Sequence, residues 1–136
     1  MKKSSVATSP KGTLIIRTIA MPEHTNPNGD IFGGWLVSQM DLAGMGIASQ
    51  VAKGRVATVA IDSMSFLKPV HVGDFICCYG VVNKVGRTSV TVTIEAWKTS
   101  FQQSDRVQVT QGVFTFVAID SEGKSRPMDT PHKDIL

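Results

Sequence analysis

GGWLVSQMDLAGMGIASQVAK, residues 33 to 53, repeats its apolar side chains at helical spacing. Leu36, Met40, Ala43, Ile47 and Val51 recur every three or four positions and make one stripe of a single long helix. A neighbouring line, Val37, Asp41, Gly44 and Ala48, consists of small residues around one acid, so another backbone can approach closely there. Asp30 is placed to cap the start, and Gly54 to stop the end. Two choices in this stretch work against stability. Glycine inside a helix costs about 1 kcal/mol relative to alanine, and burying an unpaired carboxylate costs more still. Yet the helix opens on Gly33 and Gly34 and carries Asp41 in mid-run.

Working outward, TLIIRTIAMP (13–22) reads as a strand halted by Pro22. EHTNPNGD (23–30) is a shaped loop, with Pro27 biasing Asn26 toward extended backbone and Gly29 free to take positive φ. After Gly54 the pattern is all strand: 56–66, 74–85, 88–97 and 106–119. In the third of these, Val90, Val92, Ile94 and Ala96 alternate with Ser89, Thr91, Thr93 and Glu95, which predicts one buried face and one partly wet face. Gly86 and Arg87 make the hairpin turn before it, 98–105 is a polar loop, and the polar chain from Asp120 onward, with two prolines, is expected to fray. Strand, helix and four strands make an α+β domain whose antiparallel sheet curls around one central helix. The small-residue face of that helix then calls for a second subunit, paired two-fold.

A chain of 136 residues, 42% hydrophobic and 18% charged, has the size of one domain with a real core. The basic start lacks the apolar run of a secretory signal, and no stretch approaches the roughly 20 apolar residues of a membrane span, so a cytoplasmic address is expected. Cys77 and Cys78 are adjacent, which suits neither a disulfide framework nor a zinc site; they are expected to be inert strand residues, at least one of them buried. A net charge of +3 with scattered basic residues argues against a nucleic-acid arm and suits a small polyanion. His24, His71 and His132 have no metal partner at a useful spacing, and each is expected to be solvated.

The residues that oppose folding make sense as chemistry. Gly33 and Gly34 leave backbone N–H groups unshielded at the positive end of the helix dipole, where they can polarise a carbonyl and hold the oxyanion it becomes. Two turns on, Asp41 can serve as general base on water or as nucleophile, and the Asn26 amide can hold water or the carbonyl oxygen. A thioester suits so spare a set, because sulfur leaves the carbonyl electrophilic without a serine triad or metal. An ordinary helix acid and a packing glycine pair explain any one of these residues. Asn26, Gly29, Gly33, Gly34 and Asp41 together favour the chemical reading.

TNPNGDIFGGWLVSQMD (25–41), GRVATVAIDSMSFLKPVHVGD (54–74) and KVGRTSV (84–90) resemble, in that order, the hotdog-fold acyl-CoA thioesterases, and specifically their YciA-type branch. The similarity runs from about Gly12 to about Arg126. It implies a hotdog domain over 12–126, with 1–11 a flexible N-terminal segment and 127–136 a tail. It further implies dimers joined through a continuous sheet, often as a trimer of dimers, and broad acyl-CoA hydrolysis with coenzyme A entering as substrate and no cofactor. The acid of the QMD block falls on Asp41 as catalytic carboxylate, the carbonyl-facing N–H on Gly33, and the polar loop residue on Asn26, which serves Asp41 of the other subunit.

For the coenzyme A end, the hairpin residues Lys84, Arg87, Thr88 and Ser89 are the best cluster of cations and hydroxyls, with Lys68 and Arg55 weaker candidates. Gly34 belongs to the substrate site, and Thr58 and Ser63 are placed along the pantetheine channel. Met40, Met64, Phe66 and Trp35 form either core or acyl pocket. Two rivals stand beside this reading. A hotdog dehydratase or hydratase needs a His paired with an acid, and His24 lies ahead of the glycine motif without the expected surroundings. A non-catalytic acyl-CoA binding or sensing protein has no need of both Asp41 and Asn26.

Overall fold

A computed structural model describes residues 9–100 and 105–128. Its elements follow the expected order: β1 (Thr13–Ile19), a short 3₁₀ helix (Pro22–His24), α1 (Gly33–Ala52), β2 (Val56–Phe66), β3 (Phe75–Val85), β4 (Ser89–Thr99) and β5 (Val107–Ala118). The five strands form one antiparallel sheet in the order β1-β3-β4-β5-β2. Each paired interface carries at least one register shift, and two fall in the β2–β5 ladder; such bulges bend strands and let the sheet curl around α1. The termini and the polar loop that lie at 1–8, 101–104 and 129–136, His132 among them, are outside the described residues.

The helical stripe is the core. Leu36, Met40, Ala43, Ile47 and Val51 are all buried, against Val90, Val92, Ile94 and Ala96 of β4 and Phe114 and Phe116 of β5. At about 1.5–3 kcal/mol for each large apolar side chain fully buried, this seam is what fixes the helix on the sheet. The small-residue line is not the surface on which a partner would pack. Gly44 and Ala48 are buried beneath the chain's own sheet, and a Cβ on Gly44 would lie 2.8 Å from Phe116 Cζ. Glycine is there to admit that ring. The apolar helix residues left exposed are instead Leu42 and Met45.

Both helix ends also differ from expectation. Phe32, not Asp30, is the N-cap, and no side chain caps the first turn. At the other end Lys53, not Gly54, takes the left-handed conformation, at φ 55°. Gly54 serves a different purpose: a Cβ there would lie 2.6 Å from Arg126 Nη2, which donates at 2.9 Å to the carbonyl of Ala52 in the last turn. The chain expected to fray from Asp120 is thereby fastened as far as Met128, the last described residue. Asp120 Oδ1 accepts the N–H groups of Glu122 and Lys124, Arg126 Nε donates to Ile119 O, and the Met128 N–H donates to Arg87 O. Those backbone bonds hold the Asp120 carboxyl below the usual carboxylate range.

The outer face of β4 is drier than the alternation predicts. Glu95 is buried, with its Oε1 accepting from Trp97 Nε1 at 2.8 Å and from the Lys11 N–H at 3.2 Å. Cys77 and Cys78 are both buried free thiols, and burial pushes the Cys78 thiol up to about 12. β2 forms one edge of the sheet and exposes Val59, Ile61 and Phe66. No described helix is long and apolar enough to cross a membrane.

Candidate active site

The loop ahead of α1 is closed on itself like a hairpin. Thr25 bridges Ile31, the Asn26 N–H donates to Asp30 O at 2.7 Å, and the Phe32 N–H donates to His24 O at 2.9 Å. Asn26 holds its tip: its Oδ1 accepts the N–H groups of Asn28 at 2.9 Å and Asp30 at 3.1 Å, and Gly29 turns the chain at φ 87°. The Asn26 carboxamide oxygen is therefore committed to the loop, which narrows the sequence expectation. Its Nδ2 donates to no other described residue.

The loop delivers an uncapped helix start at Gly33 and Gly34. A Cβ on Gly34 would meet nothing within 4 Å, so its bareness answers no contact within the protomer. Gly33 lies against the Phe66 ring, 3.3 Å from a would-be Cβ to Cζ. Beside it opens a 260 Å³ recess lined by Phe32, Leu36, Phe66, Val70 and Val109, with Lys68 among its walls. Apolar walls next to free N–H donors suit an acyl group whose carbonyl turns toward the helix.

Asp41 is half-buried on α1 and faces β2. The Thr58 hydroxyl donates to Asp41 Oδ1 at 2.7 Å. Thr58, expected along a pantetheine channel, is thus the residue that orients the carboxylate; Oδ2 accepts no described donor. Asp41 lies eight residues along the helix from Gly33, about 12 Å along the axis.

The hairpin cluster stands at the opposite end of the sheet from Gly33. Ser89 pairs with Val117 and Val56 with Ala118, so Lys84, Arg87, Thr88 and Ser89 lie by the start of β2, whereas Phe66 and Gly33 lie by its end. Ten residues of strand span roughly 33 Å. The hairpin is fixed there by the Ala118 N–H donating to Thr88 O and the Met128 N–H to Arg87 O. Arg55 instead turns its Nη1 to the carbonyls of Asp120 and Ser121. Ser63, at a bulge with φ 58°, lines a second recess with Ser65, Gln108 and Gln111, apart from the one at Gly33. A single protomer therefore joins Asp41 to Thr58 and Gly33 to the apolar recess, but not the two halves to each other.

Residues 28–102 match the family model of the thioesterase superfamily. The chain belongs to that superfamily. It is 53% identical over 119 residues to an uncharacterized acyl-CoA thioester hydrolase of Haemophilus influenzae, covering 85% of this chain and 77% of that one. It is 48% identical to the Escherichia coli acyl-CoA thioester hydrolase YciA, covering 88% and 92%. Among solved structures, HI0827, a hexameric broad specificity acyl-coenzyme A thioesterase, superposes with a TM-score of 0.84 at 49% identity, covering 93% of this chain and 86% of that one. HI0827 has also been crystallised as a mutant enzyme with one aspartate replaced by alanine. The long helix and five-stranded antiparallel sheet are the hotdog fold of this superfamily.

At the two ends of α1, sequence reasoning missed two contacts. His24, expected to be solvated, stacks on Trp35 with ring centroids 4.5 Å apart. Arg126 reaches the end of α1 from 74 positions downstream. Neither leaves a spacing signal in the sequence, because each joins a loop to a helix end.

Proposed function

We propose that this protein hydrolyses acyl-CoA thioesters to free coenzyme A and a carboxylic acid, over a broad range of acyl chains. The observation that carries this reading is the Asp41 carboxylate, oriented by Thr58, on a helix that opens on two bare glycine amides beside an apolar recess. The Gly33 N–H polarises the thioester carbonyl and receives the developing oxyanion. Asp41 either takes the proton from a water that attacks the carbonyl carbon, or attacks that carbon itself to form a mixed anhydride that water then hydrolyses; in both routes the C–S bond breaks, coenzyme A leaves as thiolate and takes up a proton, and the Asp41 carboxylate is restored. The acyl chain enters the recess of Phe32, Leu36, Phe66, Val70 and Val109. No cofactor is called on; coenzyme A arrives with the substrate.

The two halves of the site come together across a dimer. β2 is an edge strand, and antiparallel two-fold pairing of β2 with its copy brings the Phe66 and Gly33 end of one protomer to the Val56, Thr58 and Asp41 end of the other. The same operation brings Asn26 and the Lys84–Ser89 hairpin of different protomers to one cleft, where Lys84, Arg87, Thr88 and Ser89 meet the phosphates of coenzyme A. Three such dimers would complete a hexamer, and the relative HI0827 is described as hexameric. The two free cysteines suit the reducing cytoplasm.

Thiol release from acetyl-, butyryl-, octanoyl- and palmitoyl-CoA by the purified protein tests the activity. Turnover of several chain lengths is expected. Binding of coenzyme A without thiol release identifies a binding protein and overturns the reading.

A further inference from the structure

A helix that opens on two glycines has no side chain to hold its first turn, and glycine backbone is the least restrained. Here the N-cap, Phe32, contributes no side-chain bond either. Oxyanion donors act only when held in place before the reaction, so the restraint has to come from outside the helix. His24 supplies it from both sides of the glycine pair. Its carbonyl accepts the Phe32 N–H at 2.9 Å, just before Gly33, and its ring stacks on Trp35, just after Gly34, at 4.5 Å and 19° between planes.

The ring is in turn anchored. Nδ1 accepts the Met21 N–H at 3.1 Å, which places the proton on Nε2, 3.5 Å from Glu23 Oε2. The His24 side chain is 22% exposed, while Trp35 packs against the core. Core, indole, imidazole and loop thus form one stack around Gly33 and Gly34.

We propose that His24 is a positioning residue for the oxyanion donors: by clasping Trp35 and Phe32 it fixes the direction of the Gly33 N–H. The inference rests on the thioesterase reading above. Two substitutions separate the parts of the clasp. Phenylalanine keeps the stack and loses the Nδ1 acceptor; asparagine keeps an acceptor at Oδ1 and loses the stack. The backbone bond to Phe32 is available in every variant.

The experiment measures kcat and KM for butyryl-CoA, the thermal midpoint, and amide exchange at Gly33 and Gly34, in wild type, His24→Ala, His24→Phe and His24→Asn. His24→Ala is expected to lose about tenfold in kcat, below the 10²–10³ that outright removal of one oxyanion donor costs, with KM and thermal midpoint near wild type. His24→Phe is expected to recover most of the loss and His24→Asn less, with glycine amide exchange fastest in His24→Ala. A folded His24→Ala with kcat within about twofold of wild type overturns the proposal. So does a loss confined to KM, or one that neither Phe nor Asn relieves. If wild type itself releases no thiol, the thioesterase reading fails, and unchanged glycine exchange in His24→Ala then removes the clasp as well.

Discussion

Thr58 donates its hydroxyl to Asp41 Oδ1 at 2.7 Å, from an edge strand to the middle of the central helix. A hydrogen bond to a charged group is worth about 1.5–3 kcal/mol, and this one fixes which carboxylate oxygen remains for the substrate. Thr58→Val keeps the shape and removes the donor. It is expected to lower kcat by about tenfold with little change in KM, and Thr58→Ser to restore most of the rate. A rise in KM at unchanged kcat would return Thr58 to the pantetheine channel. Steady-state kinetics on the three proteins decide between these roles.

The recess at Gly33 sets an expectation for chain length. Its walls are apolar, so kcat/KM is expected to rise from acetyl- to octanoyl-CoA as methylenes leave water against Leu36, Phe66 and Val109. Phe66→Ala removes a wall that is half exposed and is expected to cost octanoyl-CoA about tenfold more than acetyl-CoA. Equal losses for both substrates would place the acyl chain elsewhere.

Arg126 and Gly54 act as one unit at the end of α1. Arg126→Ala removes two donated bonds, one of them to a terminal helix carbonyl, and is expected to cost about 1–3 kcal/mol. Gly54→Ala displaces the same guanidinium and is expected to cost a similar amount. The double variant should cost clearly less than the sum, a coupling that urea denaturation of all four proteins measures.

The helix stripe and the strand pattern were legible because periods of 3.6 and 2 are written locally, and Leu36 through Val51 or Val90 through Ala96 need no partner to be read. The bare glycines and Asp41 were legible for the opposite reason, since they cost stability where they stand. What stayed hidden was the identity of neighbours. The small residues at Gly44 and Ala48 announced a close approach, but Phe116 of the same chain, not a second subunit, makes it. Thr58 looked like any polar strand residue until the fold set it against Asp41, and Glu95 looked like a wet position until Trp97 and Lys11 covered its charge.

Burial of Cys78 gives the fold an alkaline limit. Its thiol is raised from 9.0 to about 12, so between those values the unfolded chain gives up a proton that the folded chain keeps. This thiol leaves stability unchanged below about pH 9 and lowers it as pH rises from there toward 12, in the same direction as its neighbours Cys77 and Tyr79, which burial also raises. Cys78→Ala is expected to flatten that fall in urea midpoints measured from pH 8 to 11, at the cost of a small cavity. A slope as steep as wild type would assign the alkaline limit to other groups.

Whether Asp41 performs the chemistry is read from kcat/KM for butyryl-CoA in wild type and Asp41→Ala, with oligomeric state followed by light scattering. Asp41→Ala is expected to keep the fold and assembly and to lose at least about 10²-fold, equivalent to roughly 2.7 kcal/mol of transition-state stabilisation. A folded Asp41→Ala that releases thiol at close to the wild-type rate would contradict that role.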